Sequence, residues 1–473
     1  MSRVLALFVA AFGLLGFAHA ADMPVKAPVF KAPAAAATNW TGVWASAGVG
    51  YGIWSADTTT VFPGTGVCDL CVPQTQGGKG WFGVVGVGYD YQFASQWVAG
   101  VFGDFNFGSI KGTIQDQNPV YAGVLKEQAW WAAGARLGYL MTPDALVYVN
   151  GGFTSARFSG SDMIFLTGTP AGLSTQAFTT NGWFVGGGTE TVLNSVLGIQ
   201  FGPGWFWRNE YRYASYDSKT LPVTGPAGTG DSYTFKPDVQ TVTSQIVYKF
   251  NTGGPRYAAM PAPPVNWNGF YVNAGFGYGA WEADEGITRP DGTCYLCGVV
   301  DTQGGKGWLG IAGVGFDWQF IPRLVTGAFA DVQGSSLKGT IQDPSPWGVG
   351  EIKQTRAWAA GVRGGWLVTP QVLSYGNVGF TSARFSDSAM VFAFNGAPLG
   401  ITTPAATYNG WFIGGGVEAA LTSNLFWRTE YRSSRYESKT LVESNTFLPQ
   451  SIDFKPTVQT ITTQLVYKFN WWH

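Results

Sequence analysis

A stretch near the middle of the chain alternates large aromatic residues with charged ones at a strict period of two. It reads Trp207-Arg208-Asn209-Glu210-Tyr211-Arg212-Tyr213, and residues 427–432 repeat it as Trp-Arg-Thr-Glu-Tyr-Arg. Successive side chains of a β-strand point to opposite faces, so the charged residues share one face and the aromatic residues share the other. A soluble sandwich would bury the aromatic face, whereas a membrane barrel would turn it to lipid and line its lumen with charge. The stretch therefore indicates one of these two β folds.

The composition separates the two folds. Charged residues make up 12% of the chain, about half the usual share, while aromatic residues reach 16% and 67 of the 473 residues are glycine. A surface with so little charge is suited to lipid. Beyond the amino terminus no apolar run of about 18 residues occurs, which excludes a helical membrane protein. The net charge of −1 excludes nucleic acid as a partner. We therefore expect a transmembrane β-barrel with outer-membrane lipid around it.

The amino terminus has the pattern of a secretory signal peptide. Arg3 is followed by the apolar stretch Val4–Phe17 and by Ala18-His19-Ala20, which fits an A-x-A cleavage site. We expect residues 1–20 to be removed and the mature chain to be exported. Residues 21–38 are rich in Ala and Pro, which predicts an extended periplasmic tether.

Histidine is almost absent from the chain. His19 lies in the expected signal peptide and His473 is the last residue of the sequence, so the expected barrel contains none. Outer-membrane proteases and lipases usually use His beside Ser or Asp as a general base. The sequence therefore predicts no catalytic residues, no enzyme activity and no cofactor.

After the predicted tether, the sequence contains two copies of one domain. Asn39-Trp40-Thr41-Gly42 matches residues 266–269, and Gly112-Thr113-Ile114-Gln115-Asp116 matches residues 339–343, both at a spacing of 227 residues. Such self-similarity indicates a duplicated structural unit. The predicted divisions are a first barrel repeat at 39–250, a Pro-rich linker at 251–265, a second barrel repeat at 266–469 and an overhang at 470–473.

Each copy has eight candidate strands, and the connections between them alternate in length. Long connections follow the first, third, fifth and seventh strands, whereas those after the second and fourth are short. Short turns on one side and long loops on the other are typical of outer-membrane barrels, with the short side in the periplasm. In the first copy the candidates are Val43–Gly52, Trp81–Phe93, Val98–Phe107, Ala129–Leu140, Leu146–Arg157, Trp183–Leu193, Phe206–Tyr213 and Val239–Phe250.

The linker favours two tandem eight-stranded barrels over one 16-stranded barrel. In a single barrel the eighth and ninth strands would lie about 5 Å apart, so a turn of a few residues would join them. Residues 251–265 instead contain four prolines and can reach roughly 45 Å at about 3 Å per residue, enough to step between neighbouring barrels. The 16-stranded barrel stays open as the alternative.

By strand parity, the charged residues of each copy fall on one face. Because an unpaired charge away from water costs several kcal/mol, acids and bases on that face are expected to pair in the lumen. The expected lumen charge network consists of Asp90, Asp104, Arg136, Arg157, Glu190, Arg208, Glu210, Arg212 and Lys249 in the first copy, and of Asp317, Asp331, Arg363, Arg384, Glu418, Arg428, Glu430, Arg432 and Lys468 in the second.

Each copy resembles the outer-membrane immunogenic protein (porin-family) barrels of alphaproteobacteria. The resemblance rests on the tether Ala21-Asp22-Met23-Pro24-Val25-Lys26-Ala27-Pro28, on the opening Asn-Trp-Thr-Gly before a Gly-rich strand, and on closing strands that end Val-Tyr-Lys-Phe. It implies an eight-stranded barrel in the cell outer membrane of structural and antigenic character, some members being called porins. It also implies recognition of the terminal aromatic residue by the barrel assembly machinery. Two departures are the duplication and residues 470–473, which follow Phe469.

The first long loop of each copy contains one Cys-x-x-Cys pair, Cys68 with Cys71 in the first copy and Cys294 with Cys297 in the second. In an exported protein the favoured state is a disulfide within each pair. A zinc site would need all four thiols brought together, and a redox motif would need a strand-to-helix context, so we expect no metal.

Two functional hypotheses follow from these patterns. In the first, the lumen charges fill a narrow barrel, and the protein is a surface protein whose extracellular loops meet an unknown ligand. In the second, the charges form a constriction in a porin, a passive channel for ions or small hydrophilic solutes.

Overall fold

The computed structural model describes residues 38–117, 120–193, 195–196, 199–251, 265–289, 291–345, 347–444 and 450–469. The expected signal peptide, most of the tether, most of the linker and the overhang lie outside these residues. Within the described part the secondary structure is entirely β, which confirms the all-β prediction. In that part no helix is long and apolar enough to cross a membrane.

The first copy contains long strands joined by hairpins, with several short strands at the loop ends. Its strands are β1 (Gly42–Val61), β2 (Cys68–Gln92), β3 (Trp97–Gln117), β4 (Val120–Thr142), β5 (Ala145–Phe158), β6 (Ser161–Phe165), β7 (Pro170–Thr175), β8 (Phe178–Val192), β9 (Ser195–Val196), β10 (Ile199–Gln200), β11 (Trp205–Tyr216), β12 (Lys219–Gly225) and β13 (Gly228–Asn251).

The second copy repeats this order apart from the two-residue strands β9 and β10. Its strands are β14 (Gly269–Thr288), β15 (Cys294–Ile321), β16 (Leu324–Asp343), β17 (Gly348–Thr369), β18 (Val372–Phe385), β19 (Ser388–Phe392), β20 (Pro398–Thr403), β21 (Ala406–Ala420), β22 (Leu425–Tyr436), β23 (Lys439–Val442) and β24 (Ser451–Lys468).

The long strands of each copy pair in a ring. In the first copy β1 pairs with β2 on one side and with β13 on the other, and the ring runs through β3, β4, β5, β8 and β11. In the second copy β14 pairs with β15 and with β24, and the ring runs through β16, β17, β18, β21 and β22. All these pairings are antiparallel, and the shorter strands extend the hairpins at the loop side.

Exposed aromatic residues form a belt at each end of an apolar band. On the loop side of the first copy the belt includes Trp81, Trp131 and Trp183, and on the turn side it includes Tyr89 and Trp97. Aromatic girdles of this kind mark the two interfaces of a membrane barrel. The band between them is the membrane-spanning part of each ring.

Most long strands continue well past the loop-side belt. β1 has 20 residues and β2 has 25, whereas about 9–11 residues suffice to span a bilayer. The sequence prediction ended the first strand at Gly52, nine residues before its end at Val61. The error has a physical reason, because β1 stays paired with β13 as far as Val61 in a segment of Thr and Asp residues without an apolar face to lipid. Part of each predicted long loop is therefore strand.

The Asn-Trp motif that opens each copy packs inside the turn-side end of its ring. Trp40 is fully buried, donates its indole N–H to the carbonyl oxygen of Pro143 at 3.0 Å and packs on Phe206 with ring centroids 4.9 Å apart. Trp267 does the same with Pro370 and Phe426, at 3.0 and 5.0 Å. The repeated motif thus fills the turn-side mouth of each lumen.

Candidate functional site: the charged lumen

Five strands of the first ring bring their charges together near the turn-side end of the lumen. Arg136 donates from Nε to Oδ1 of Asp90 at 2.8 Å and from Nη1 to Oε2 of Glu190 at 3.0 Å. Arg208 donates to the same Oε2 of Glu190 from Nε and Nη2, at 2.9 and 2.7 Å. Lys249 bridges the two acids, at 2.7 Å from Asp90 and 2.9 Å from Glu190. Residues from β2, β4, β8, β11 and β13 thus form one ion-pair network.

A second group of charges lies one step further toward the loops. Arg212 forms a bidentate pair with Asp104, at 3.1 and 2.8 Å, and also donates to Oε1 of Glu210 at 2.7 Å. The other oxygen of Glu210 accepts from Tyr148 at 2.8 Å and from Asn150 at 2.7 Å. Each carboxylate therefore has several donors, as a charge removed from water requires.

The second copy repeats this arrangement. Arg363 contacts Asp317 at 2.8 Å and Glu418 at 2.8 Å, and Lys468 bridges the same acids at 2.5 and 3.1 Å. The remaining pairs join Arg428 to Glu418, Arg432 to Asp331 and Glu430, and Tyr375 and Asn377 to Glu430.

Aromatic rings close the space around these charges. The guanidinium carbon of Arg208 lies 4.0 Å from the ring centroid of Trp44, and that of Arg212 lies 4.4 Å from the ring of Phe184. Such contacts stabilise a cation that has lost its water. The cavity left beside Arg136, Arg208 and Arg212 measures about 10 Å³, room for about one water molecule.

Arg157 and Arg384 do not belong to the lumen network, so the prediction for these two residues was wrong. Both are exposed on the outer face of their strands, beyond the loop-side aromatic belt. The inward Asn150 and Thr154 show that even-numbered residues of β5 face the lumen, so Arg157 faces outward. Beyond the belt an outward charge meets water instead of lipid, so the expectation that strand charges face the lumen does not hold there. Without Arg157 the first-copy network is balanced, four acids against four bases: Asp90, Asp104, Glu190 and Glu210 against Arg136, Arg208, Arg212 and Lys249.

Sequence reasoning missed the uncharged members of the site. Tyr148 and Asn150 donate to Glu210, and Trp44 stacks on Arg208, yet none was predicted as a site residue. The signal was present in β5, where Tyr148, Asn150 and Thr154 occupy alternate positions. Only the charged residues of each strand entered the parity argument, so this polar row was not used.

A second concentration of charge lies outside the membrane band, in the loop-side extension of the second copy. Glu285, Asp301, Asp343 and Glu443 are all buried there. Burial raises the pKa of Glu443 to about 9, with the neighbouring Asp343 carboxyl adding to the shift. Burial also raises the pKa of Asp301 to about 6 and that of Glu285 well above its ordinary value. Among the described residues no group of three or more His, Cys, Asp and Glu could hold a metal ion.

The cysteine prediction can be followed in the first copy. A disulfide joins Cys68 to Cys71 at the start of β2, on the loop side of the membrane band. The side chains of Cys294 and Cys297 lie outside the described residues, so their pairing stays a prediction.

Comparison with known proteins identifies the family. A model of the outer membrane protein beta-barrel domain matches residues 26–250 and 257–469. Over 216 residues the chain is 28% identical to the 31 kDa outer-membrane immunogenic protein of Brucella melitensis biotype 1. The aligned region covers 45% of this chain and 87% of that protein. The protein of the same name from Brucella suis biovar 1 gives the same figures.

Two solved structures give weaker similarities. A Pseudomonas aeruginosa FadL homologue has a TM-score of 0.27 at 10% identity, over 90% of both chains. Ail, the attachment invasion locus protein of Yersinia pestis, has a TM-score of 0.24 at 15% identity, over 44% of this chain and 99% of that chain. At these TM-scores neither structure carries an argument about this protein. The family model does, because it covers both copies: the chain belongs to the outer membrane protein beta-barrel domain family, is homologous to an immunogenic outer-membrane protein and lies in the outer membrane.

Proposed function

We propose that the protein is a structural, surface-exposed component of the outer membrane, built as two separately closed eight-stranded barrels whose lumens are filled. The observation that carries this proposal is the ion-pair network inside each ring. An eight-stranded interior is just wide enough for side chains, and here Arg, Glu and aromatic side chains leave about 10 Å³ beside Arg208 and Arg212. A hydrated ion or a small solute needs a far wider path.

The contact that this protein makes with its surroundings is then expected on the loop side. The strand extensions and the loops beyond the aromatic belt form the part exposed outside the cell, and their extracellular ligand is unidentified. The relatives from Brucella are named immunogenic proteins, which supports an antigenic role for this surface. Outer-membrane lipid and the barrel assembly machinery are the other expected partners. We propose no catalytic activity for the lumen.

Single-channel conductance in planar lipid bilayers tests the proposal against the porin alternative. The wild-type protein should show no steady conductance of nanosiemens size, because both lumens are filled. The double variant Arg208→Ser, Arg212→Ser removes two large side chains from the first lumen only, and it should give a small conductance.

The second copy offers a matched control, Arg428→Ser with Arg432→Ser. If the barrels are separate, each double variant conducts by itself and the combined variant conducts the sum of the two. A large, steady wild-type conductance that changes only when both copies are altered would overturn the proposal and establish one wide pore.

A further inference from the structure

The two rings touch along the loop-side extensions of β2 and β15, and the contact has approximate two-fold symmetry. Gln76 of the first copy forms a backbone bridge with Gln303 of the second copy. The two residues occupy corresponding positions in the two copies, because 76 plus 227 is 303. In a two-fold interface the residues on the axis meet their own equivalents, and every other contact occurs twice.

The hydrogen bonds across the contact occur in such pairs. The backbone N–H of Thr75 donates to the hydroxyl of Thr340 at 2.8 Å. The backbone N–H of Thr302 donates to the hydroxyl of Thr113 at 2.7 Å. At the spacing of 227 residues, Thr75 corresponds to Thr302 and Thr113 corresponds to Thr340, so the two bonds are one bond and its symmetry mate.

Small residues make the close approach possible. A Cβ atom on Gly77 would lie 3.1 Å from the backbone oxygen of Gln303, and one on its counterpart Gly304 would lie 3.0 Å from the backbone oxygen of Gln76. Both distances are tight for a carbon atom, so a larger residue at either position would push the two backbones apart.

Two ion pairs flank the axis. Lys79 of the first copy pairs with Glu282, and its counterpart Lys306 pairs with Asp238. The lysines correspond to each other but the acids do not. Glu282 lies on the first strand of its ring and Asp238 on the last strand of the other ring.

The acids of the two ion pairs lie on different strands of the two rings, at positions that are neighbours across a strand pair. The counterpart of Glu282 is Ser55, which lies directly opposite Asp238 across the β1–β13 pair. Near the end of each copy the spacing is 219 residues, as between Phe250 and Phe469, so the counterpart of Asp238 is Thr457. Thr457 lies directly opposite Glu282 across the β14–β24 pair. Each copy therefore presents one lysine and one acid, and the acid occupies either of two adjacent positions.

We propose that this surface is an association site for a second barrel of the same kind, which holds two copies together by its own contacts and does not need the linker. The site requires a Gly-x-Lys edge and an acid on either the first or the last strand of the partner. The inference rests on the proposed pair of separately closed barrels, and it adds what joins them outside the membrane.

A full-length protein with a protease site inserted in the linker tests both ideas separately. After cleavage in mild detergent, two fragments that each migrate faster unheated than heated show that each half is a closed barrel. Unheated fragments that migrate together show that the surface holds them. Fragments that are both heat-modifiable but separate would overturn this inference alone, whereas fragments that lose heat modifiability on cleavage would overturn the two-barrel proposal as well.

The acid exchange gives the sharper test. Glu282→Ser should make the cleaved fragments separate about tenfold faster, because Lys79 loses its partner. Adding Thr457→Asp should restore the association, because an acid returns to the position that Asp238 occupies in the first copy. The control Glu351→Ser removes an exposed acid that pairs with Lys353 of its own strand and with Lys338 of the neighbouring β16, both in the second copy, and should change nothing. Failure of Thr457→Asp to rescue the association would contradict the proposed rule for the acid.

Discussion

Glu127 of the first copy occupies the position that Gln354 holds in the second copy. Both side chains are buried inside their ring, on the loop side of the aromatic belt. Neither carboxylate oxygen of Glu127 has a hydrogen-bond partner among the described residues. Burial raises the pKa of Glu127 to about 8, so the group is largely protonated at neutral pH and differs little from the amide of Gln354.

This pair predicts a pH dependence that one substitution removes. The folded pKa of Glu127 lies above its ordinary value of 4.5, so its favourable contribution is fully present below about pH 4.5 and is lost as the pH rises through about 8. Glu127→Gln should stabilise the protein at pH 9 by a few kcal/mol, since one pKa unit is about 1.4 kcal/mol, and should change little at pH 5. The temperature at which heat modifiability is lost measures the effect. The reverse change, Gln354→Glu, should introduce the same dependence into the second copy, and equal stability of Glu127→Gln and wild type at pH 9 would contradict the argument.

The lumen network predicts a large difference between two arginines of the same copy. Arg136→Met leaves Asp90 and Glu190 buried with fewer donors, which should cost about 3–5 kcal/mol. Arg157→Met removes an exposed charge and should change stability by less than about 0.5 kcal/mol. Urea unfolding in detergent, followed by tryptophan fluorescence, compares the two variants. Similar losses would mean that Arg157 has a structural role that its exposed position does not explain.

The sequence predicted the charged lumen well because the β-strand period leaves little freedom. In β11 the charges at 208, 210 and 212 fix their own parity, and all three face inward. A lone charge was also assigned correctly in β8, where Glu190 faces the lumen. Arg157 of β5 was assigned to the wrong face because it lies beyond the loop-side aromatic belt, where an outward charge meets water instead of lipid. Strand parity therefore locates charges within the membrane band and not beyond it.

The contact between the two rings could not be predicted in the same way. Gly77 and Lys79 lie in a segment that looks like a loop by composition, and no period shows that β2 continues through it. The partner acids Asp238 and Glu282 do not occupy corresponding sequence positions in the two copies, so comparing the sequences of the copies gives no matching pair. The duplication was visible in the sequence, whereas the surface that it created depends on how two strand extensions meet in space.

A tyrosine hydroxyl inside each lumen gives a smaller, well-defined effect. Tyr148 donates to Glu210 at 2.8 Å, and Tyr148→Phe leaves that oxygen with Asn150 as its remaining donor. Loss of one hydrogen bond to a buried charge should cost about 1–3 kcal/mol. Tyr375→Phe should cost the same in the second copy, while Tyr91→Phe, at an exposed position on the outer face, should cost almost nothing. A cost for Tyr91→Phe equal to that for Tyr148→Phe would refute the link to Glu210.

The buried acids of the second copy predict that its loop-side extension loosens as the pH rises. Their raised pKa values mean that protonation favours the folded extension, so the stabilisation is complete below about pH 4 and is lost through about pH 6 for Asp301 and about pH 9 for Glu443. The first copy has Thr58 and Gln74 where the second has Glu285 and Asp301, and the Glu127→Gln variant also lacks the pH dependence of Glu127, so its first copy serves as an internal control. In that variant, hydrogen exchange at pH 6 and pH 9, corrected for intrinsic rates, should show a larger loss of protection in β14 and β15 than in β1 and β2.

Glu443→Gln should reduce this pH effect, because it removes an acid whose pKa burial raises to about 9 and ends its repulsion with Asp343. Glu437→Gln changes a half-exposed acid that pairs with Lys439, and it should leave the pH profile as it is in the wild type. Equal protection of β14 at both pH values in the wild type would show that the four acids do not control the extension. A pH effect of the same size in β1 would show that it arises outside the acidic cluster.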